Sequence, residues 1–190
     1  MFKAKRRTVV TTAATVFVLV VAALVVTVVT QGNGEASDNN MVAYPVGQRP
    51  TAPAFTATSL TGAPINLARY RGQVVVLNVW GSWCGPCRGE GETLKYLDEE
   101  YAPEGVAFLG DDIQDTPTNA LSFLRAEGIT YPSVNDSSGA VEQRLSLAVP
   151  ISGAPTTLVI DKTGHIAGLI AGAVTYPDIS TLLRDAGVPQ

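Results

Sequence analysis

The chain has 190 residues, 46% hydrophobic and 16% charged, which is room for one ordinary domain with an appendage and excludes wholesale disorder. Its formal charge is −4, and residues 1–30 carry Lys3, Lys5, Arg6 and Arg7 but no acid, so the remainder is more acidic still. Such a body repels phosphate backbones, which argues against nucleic-acid binding, and two cysteines with one histidine build neither a disulfide framework nor a four-ligand zinc site.

In chain order, a basic stub (residues 1–7) precedes a charge-free run from Thr8 to Thr30. At 1.5 Å per residue that run spans about 34 Å, enough to cross a membrane. It exceeds the apolar region of a cleaved signal peptide, and the positive charges before it place the amino terminus in the cytoplasm. Residues 8–30 are therefore expected to form a single-pass anchor with the rest of the chain outside. Residues 31–53, rich in Gly, Asn, Ser and Pro, are expected to form a flexible tether, and residues 54–190 the folded domain.

Within that domain Ala54–Thr58 alternates like a half-buried strand, and Thr61–Pro64 supplies a turn. Val74–Trp80 (VVVLNVW) is a near-continuous apolar run, the pattern of a central strand covered on both faces. Leu94, Leu97 and Tyr101 recur at helical spacing, with Asp98, Glu99 and Glu100 as the wet face. Val106–Leu109 predicts a second buried strand, and Asp111-Asp112 after it a solvated loop, with a lining of the active-site edge or a cation site as the other readings. Thr118–Glu127 predicts a helix with Leu121 and Leu124 inward. A short extended segment at Tyr131–Val134 and a helical stretch at Val141–Leu147 follow. Thr156–Ile160, the turn Asp161–Gly164, a hairpin strand at His165–Ile170 and a helix at Ile179–Ala186, entered at Tyr176-Pro177-Asp178, complete the chain. This order predicts an α/β domain with a central mixed β-sheet flanked by helices.

Cys84-Gly85-Pro86-Cys87 stands where the central strand gives way to a helix. A helix amino terminus presents unpaired N–H groups and the positive end of the macrodipole, both favouring a thiolate at Cys84. Cys87 lies one turn on, within reach of a mixed disulfide formed at Cys84, and Pro86 suits the first turn because it needs no N–H partner. A purely structural disulfide would close too small a loop to stabilise much. Haem attachment would need a histidine where Arg88 stands. The pair is expected to be a functional dithiol, Cys84 the nucleophile and Cys87 the resolving thiol. Trp83, beside them, is expected to shield the cysteines, and Trp80 to lie in the core.

Trp83-Cys84-Gly85-Pro86-Cys87 matches the thioredoxin motif, and the longer stretch Leu77–Glu90 resembles the ResA/TlpA group of membrane-anchored, extracytoplasmic thiol–disulfide oxidoreductases. The Ala52–Phe55 segment, the Gly62…Leu67…Arg71-Gly72 run and Gly153–Thr157 carry the resemblance over most of residues 50–186. It implies a thioredoxin fold. It makes Pro155 the counterpart of the cis-proline facing the cysteines, and gives Ala154 backbone groups that pair with a substrate peptide. Together with Trp83, Gly85 and Pro86 these form the implied substrate-binding set. Glu90 matches an acidic residue of ResA-type proteins that exchanges a proton with a cysteine; spacing alone reads it as an exposed glutamate. Thioredoxin itself carries a buried aspartate where this chain has Asn78, and relatives continue after Glu90 with an apolar residue and a proline where this chain has Gly91-Glu92. The helix is therefore expected to be flexible at Gly91.

The resemblance implies a reductase of protein disulfides, with apocytochrome c as substrate and a membrane dithiol as electron donor, and no cofactor beyond the Cys84–Cys87 disulfide itself. A disulfide-forming oxidase would use the same residues at the opposite redox poise. A peroxidase and a tethered, non-catalytic chaperone or scaffold are the remaining readings.

Overall fold

The computed structural model describes residues 40–189; the basic stub, the anchor segment and residues 31–39 of the tether lie outside the described residues. Val74–Trp80 forms β4, every residue of it buried, because β-branched side chains on both faces leave no wet side. Val106–Ile113 (β5) and Ser133–Asp136 (β6) run parallel to it on one flank. On the other flank Thr156–Ile160 (β7), Ile166–Ala171 (β8) and Asn40–Ala43 (β1) are each antiparallel to their neighbour. The six-stranded order is β1-β8-β7-β4-β5-β6, and Thr56–Thr58 (β2) pairs separately with Pro64–Asn66 (β3). The helices are α1 (Gly85–Tyr101), α2 (Pro117–Glu127), α3 (Ala140–Leu145) and α4 (Tyr176–Asp185). This is the thioredoxin-like α/β fold with a mixed sheet.

The pleat of β4 divides the core. Val74 and Val76 pack with Leu94 and Leu97 of α1 and with Ile179 and Leu182 of α4. Val75, Leu77 and Val79 pack on the opposite face with Val141 and Leu145 of α3 and with Phe55, Ile65 and Leu67 around the β2–β3 hairpin. Trp80, at the end of β4, clusters with Cys84, Cys87 and, from α2, Ala120 and Phe123. The buried strand thus delivers the cysteines to a dry site roofed by α2.

Three sequence expectations change. Residues 40–53, expected within a tether, are fastened to the domain: β1 extends the sheet, Ala52 is buried, and Arg49 pairs with Asp161 at 2.9 Å and bonds the Asp185 carbonyl at 2.7 Å. Polar composition hid a strand that borrows its hydrogen bonds from β8. β5 runs through Ile113, so Asp111 and Asp112 lie in a strand rather than a solvated loop, and both are 0% exposed. In α2 the fully inward residues are Ala120 and Phe123, with Leu121 and Leu124 only half-buried. Gly91 does not interrupt α1, which runs unbroken through it, and a Cβ there would crowd the Glu127 side chain, so glycine lets α2 approach α1 closely.

Candidate active site

Cys84 is the N-cap of α1, in extended conformation, and its Sγ accepts the Cys87 N–H at 3.2 Å. The two cysteines form a disulfide with Cα atoms 5.3 Å apart, and both are buried. Gly85 and Pro86 between them are exposed, and Trp83 is 54% exposed, its indole Nε1 donating to the Ile113 carbonyl at 3.1 Å. Trp83 therefore stands as a rim beside the pair and lies outside the core, while Trp80 is 2% exposed beneath it.

Glu90 is 1% exposed, although the spacing alone suggests a surface glutamate. It lies three positions beyond Cys87, one turn along α1, facing the sheet. Its Oε1 accepts from Asn78 Nδ2 at 2.9 Å and its Oε2 from the Val174 N–H at 2.8 Å. Asn78 in turn donates to Thr157 Oγ1 at 3.0 Å. Burial pushes the Glu90 carboxyl up to about 7; the bonds from Val174 and Asn78 pull the other way without cancelling it. Asn78 thus anchors the acid from the adjoining strand. Nothing local signals this role, because Asn78, Glu90, Thr157 and Val174 belong to four separate segments that only the fold brings together.

The Ala154–Pro155 peptide is cis, at the start of β7. Pro155 is buried, and half-buried Ala154 packs against the cluster that holds Cys84 and Cys87. The other candidate residues around the cysteines lie on or just before α1, and Ala154-Pro155 reaches the same cluster from β7. Arg88 is exposed and reaches α2. It pairs with Glu127 at 2.9 Å and lies 5.1 Å from the centroid of the Phe123 ring. His165 is remote, its Nδ1 2.8 Å from Thr163 Oγ1 in the β7–β8 turn. Among the described residues no group of three or more His, Cys, Asp or Glu side chains is placed to hold a metal ion.

A dithiol at a helix amino terminus, with a buried acid one turn on and a cis-proline loop against it, is an arrangement for thiol–disulfide exchange. Residues 45–183 match the family model described as Redoxin. The chain belongs to the Redoxin family. Within it, the chain is 35% identical over 134 residues to the thiol-disulfide oxidoreductase ResA of Geobacillus thermodenitrificans, covering 70% of this chain and 75% of that one. It is 27% identical to ResA of Bacillus subtilis over 65% and 67% of the two chains. Among solved structures, a secreted thiol-disulfide isomerase from Corynebacterium glutamicum matches with a TM-score of 0.71 and 33% identity, over 82% of this chain and 94% of that one. A DsbF homologue from Corynebacterium diphtheriae matches with a TM-score of 0.71 and 31% identity, over 80% and 94%. This Redoxin-family chain is a ResA-like, thioredoxin-fold thiol–disulfide oxidoreductase whose Cys84–Cys87 pair is the redox-active disulfide.

Proposed function

We propose that the chain reduces protein disulfides outside the cytoplasm, held at the membrane by residues 8–30, in the service of c-type cytochrome maturation. The observation that carries the exchange chemistry is the buried Glu90 one turn from Cys87, with its carboxyl near 7, and the reductase direction rests on likeness to the ResA relatives. In the reduced protein the Cys84 thiolate attacks one sulfur of the substrate disulfide and releases the other as a thiolate. Glu90 accepts the proton of Cys87, which then attacks Cys84 and releases the second substrate sulfur. Two electrons pass from the dithiol to the substrate, and the Cys84–Cys87 disulfide remains. A carboxyl near 7 is matched to that proton transfer at neutral pH.

Trp83, Gly85 and Pro86 form one wall of the substrate site, and the Ala154–Pro155 segment the other, where a substrate peptide pairs with the Ala154 backbone in β fashion. A membrane dithiol returns the electrons, since an oxidising exterior offers none. The cytochrome assignment rests on likeness to the ResA group, and the placement outside the cell on the basic stub followed by an apolar run.

A second reading, disulfide formation or isomerisation in secreted proteins, draws support from the two corynebacterial structures, one named as a secreted isomerase and one as a DsbF homologue. The reduction potential of Cys84–Cys87 separates the two. Equilibration of the protein with thiol buffers, followed by the fluorescence of Trp83, is expected to give a value near the ~−270 mV of thioredoxin. A value near ~−120 mV overturns the reductase reading in favour of the oxidant.

A further inference from the structure

The C-terminal ends of β4, β5 and β6 carry a second polar cluster that exchange chemistry at Cys84, Cys87 and Glu90 does not use. Trp80, Asp112 and Asn135 are in register across these strands, and Gly110 and Ser133 form the row before them. In-register partners of parallel strands project from the same face, so Trp80, Asp112, Asn135 and Ser133 share one side of the sheet. It is the side on which Trp80 packs with Cys84 and Cys87. Trp80 Nε1, Ser133 Oγ and Asn135 Oδ1 are buried without a hydrogen-bond partner, and neither oxygen of buried Asp112 accepts from an N–H or O–H donor. A Cβ on Gly110 would overlap both Ser133 and Trp80, so the two close over a glycine. Asp111, one residue back, projects from the opposite face, toward Asp136 and Glu142.

A buried carboxylate with no partner is costly, whereas a buried carboxylic acid with an acceptor is not. Burial first, then the charge of Asp115, proton sharing with Asp115 and the charge of Asp136 push the Asp112 carboxyl up to about 8, so it holds its proton at neutral pH. The acceptor is Asp115, whose Oδ2 takes the Ser82 N–H at 2.7 Å and whose Oδ1 takes the Thr116 N–H at 2.7 Å. Gln114, at φ 51°, turns the chain so that Asp115 follows the strand so closely. Ile113, between the acids, accepts the Trp83 indole. The segment Asp112–Asp115 therefore holds both residues that lead into Cys84. Other ionisable groups on this side include the cysteines, Glu90 bonded to Asn78, Tyr131 packed on Phe108, and Arg88 in its pair with Glu127.

We propose that Asp112 is a positioning residue for the dithiol: its carboxylic acid donates a hydrogen bond to Asp115, which holds the Ser82 amide and so the approach to Cys84, and loss of the Asp112 proton loosens that hold and disfavours the Cys84 thiolate. Two adjacent carboxylates repel each other, and an added negative charge beside the α1 amino terminus opposes the macrodipole that favours the thiolate. The proposal concerns a proton distinct from that of Glu90 and holds whichever way electrons flow.

The test is the rate at which the reduced full-length chain is alkylated at Cys84 by iodoacetamide, followed from pH 6 to 10 in the wild type, Asp112→Asn and Glu90→Gln. The amide side chain of the Asp112→Asn variant still donates to Asp115 but does not ionise. The ratio of the Asp112→Asn rate to the wild-type rate is therefore expected to rise by up to about twofold as Asp112 ionises above pH 7 and to return toward its pH 6 value once Cys84 is fully ionised, because one unit on the thiol changes its thiolate fraction tenfold only where most of it is still protonated. Glu90→Gln is expected to keep the wild-type inflection in that range. A ratio constant across the whole range overturns the proposal, since it marks a merely structural effect. Should Asp112→Asn fail to fold, carboxyl-carbon NMR titration of the wild type decides: the Asp112 midpoint is expected to differ between the oxidised and reduced protein, and one midpoint common to both overturns the coupling.

Discussion

At the scale of single residues, Cys84 and Cys87 differ in what surrounds them. Cys84 caps α1 and its sulfur already accepts an N–H, whereas Cys87 sits inside the helix on the side of Glu90. Cys84→Ser is expected to abolish turnover of a disulfide-linked protein. Cys87→Ser is expected to stop the reaction after the first attack and accumulate a mixed disulfide with the substrate, visible by intact-protein mass spectrometry. The reverse pattern would exchange the two roles. Glu90 carries a pH signature of its own. Its carboxyl ionises at 4.5 in the unfolded chain and at about 7 in the folded one. Between those values the folded state keeps a proton that the unfolded state has lost, so stability falls as pH rises from 4.5 to 7 and stays lower above. The difference amounts to about 3 kcal/mol. Glu90→Gln is expected to flatten that part of the stability profile in urea titrations, and an unchanged slope would mean that Glu90 ionises freely in the folded state.

Among the elements, β1 and its following segment depend on Arg49. Its guanidinium bonds Asp161, the Asp185 carbonyl and, at 3.2 Å, the Tyr44 carbonyl, and both members of the ion pair are largely buried. Removing one partner of a buried pair strands the other. Arg49→Ala is expected to lower the unfolding free energy by about 3 kcal/mol. Dithiol turnover should stay within about twofold, because the site lies at the far ends of other strands. A matching loss of turnover would show that the fastening reaches the active site. Asp136 does similar work for α3. Its two oxygens accept the N–H groups of Ala140, Val141 and Glu142 at 2.8, 2.9 and 3.0 Å, which satisfies the first turn of a helix only six residues long. Asp136→Ala is expected to cost about 2 kcal/mol, read as a shift in the urea midpoint with an unchanged slope.

Taken as a whole, the molecule keeps an unusual set of carboxyls in its interior. Glu90 at about 7 and Asp111 and Asp112 at about 8 each lie above their unfolded values, and each makes the folded state less stable as pH rises toward 8. Asp161 runs the other way: burial opposes its charge, but bonds from Thr163, His165 and Arg49 outweigh burial and hold it down at about 2. Its contribution is present above 3.8 and is lost as pH falls through 2. Together these shifts place the stability maximum well on the acid side of neutrality, at about pH 4, where the Asp161 contribution is complete and those of Asp111 and Asp112 begin to fall. Urea midpoints are expected to drop by an amount worth several kcal/mol between pH 5 and 8.5. A midpoint that holds steady or rises over that interval would mean these carboxyls are ionised in the fold.

What the sequence by itself determined is whatever neighbouring residues settle among themselves. A charge-poor β-branched run has to be a central strand, and Cys-Gly-Pro-Cys straight after it has to start a helix with a dithiol at its amino terminus; both were legible, as was the alternation of strands and helices. The resemblance carried by Leu77–Glu90 added the family and the interest of Glu90. Only the tertiary structure decided the setting of that site. Asn78 becomes the anchor of Glu90 because the register of β4 against β7 brings Thr157 beside it and α1 folds back over both. Asp111 and Asp112 read as a loop because carboxylates favour water, yet they are buried because β5 lies between two partner strands that extend its ladder past them. Residues 40–52 read as a tether because their hydrogen bonds are made to β8, which lies far along the chain. Local pattern records what a residue prefers, whereas burial and pairing across long sequence separations depend on neighbours that only the folded chain supplies.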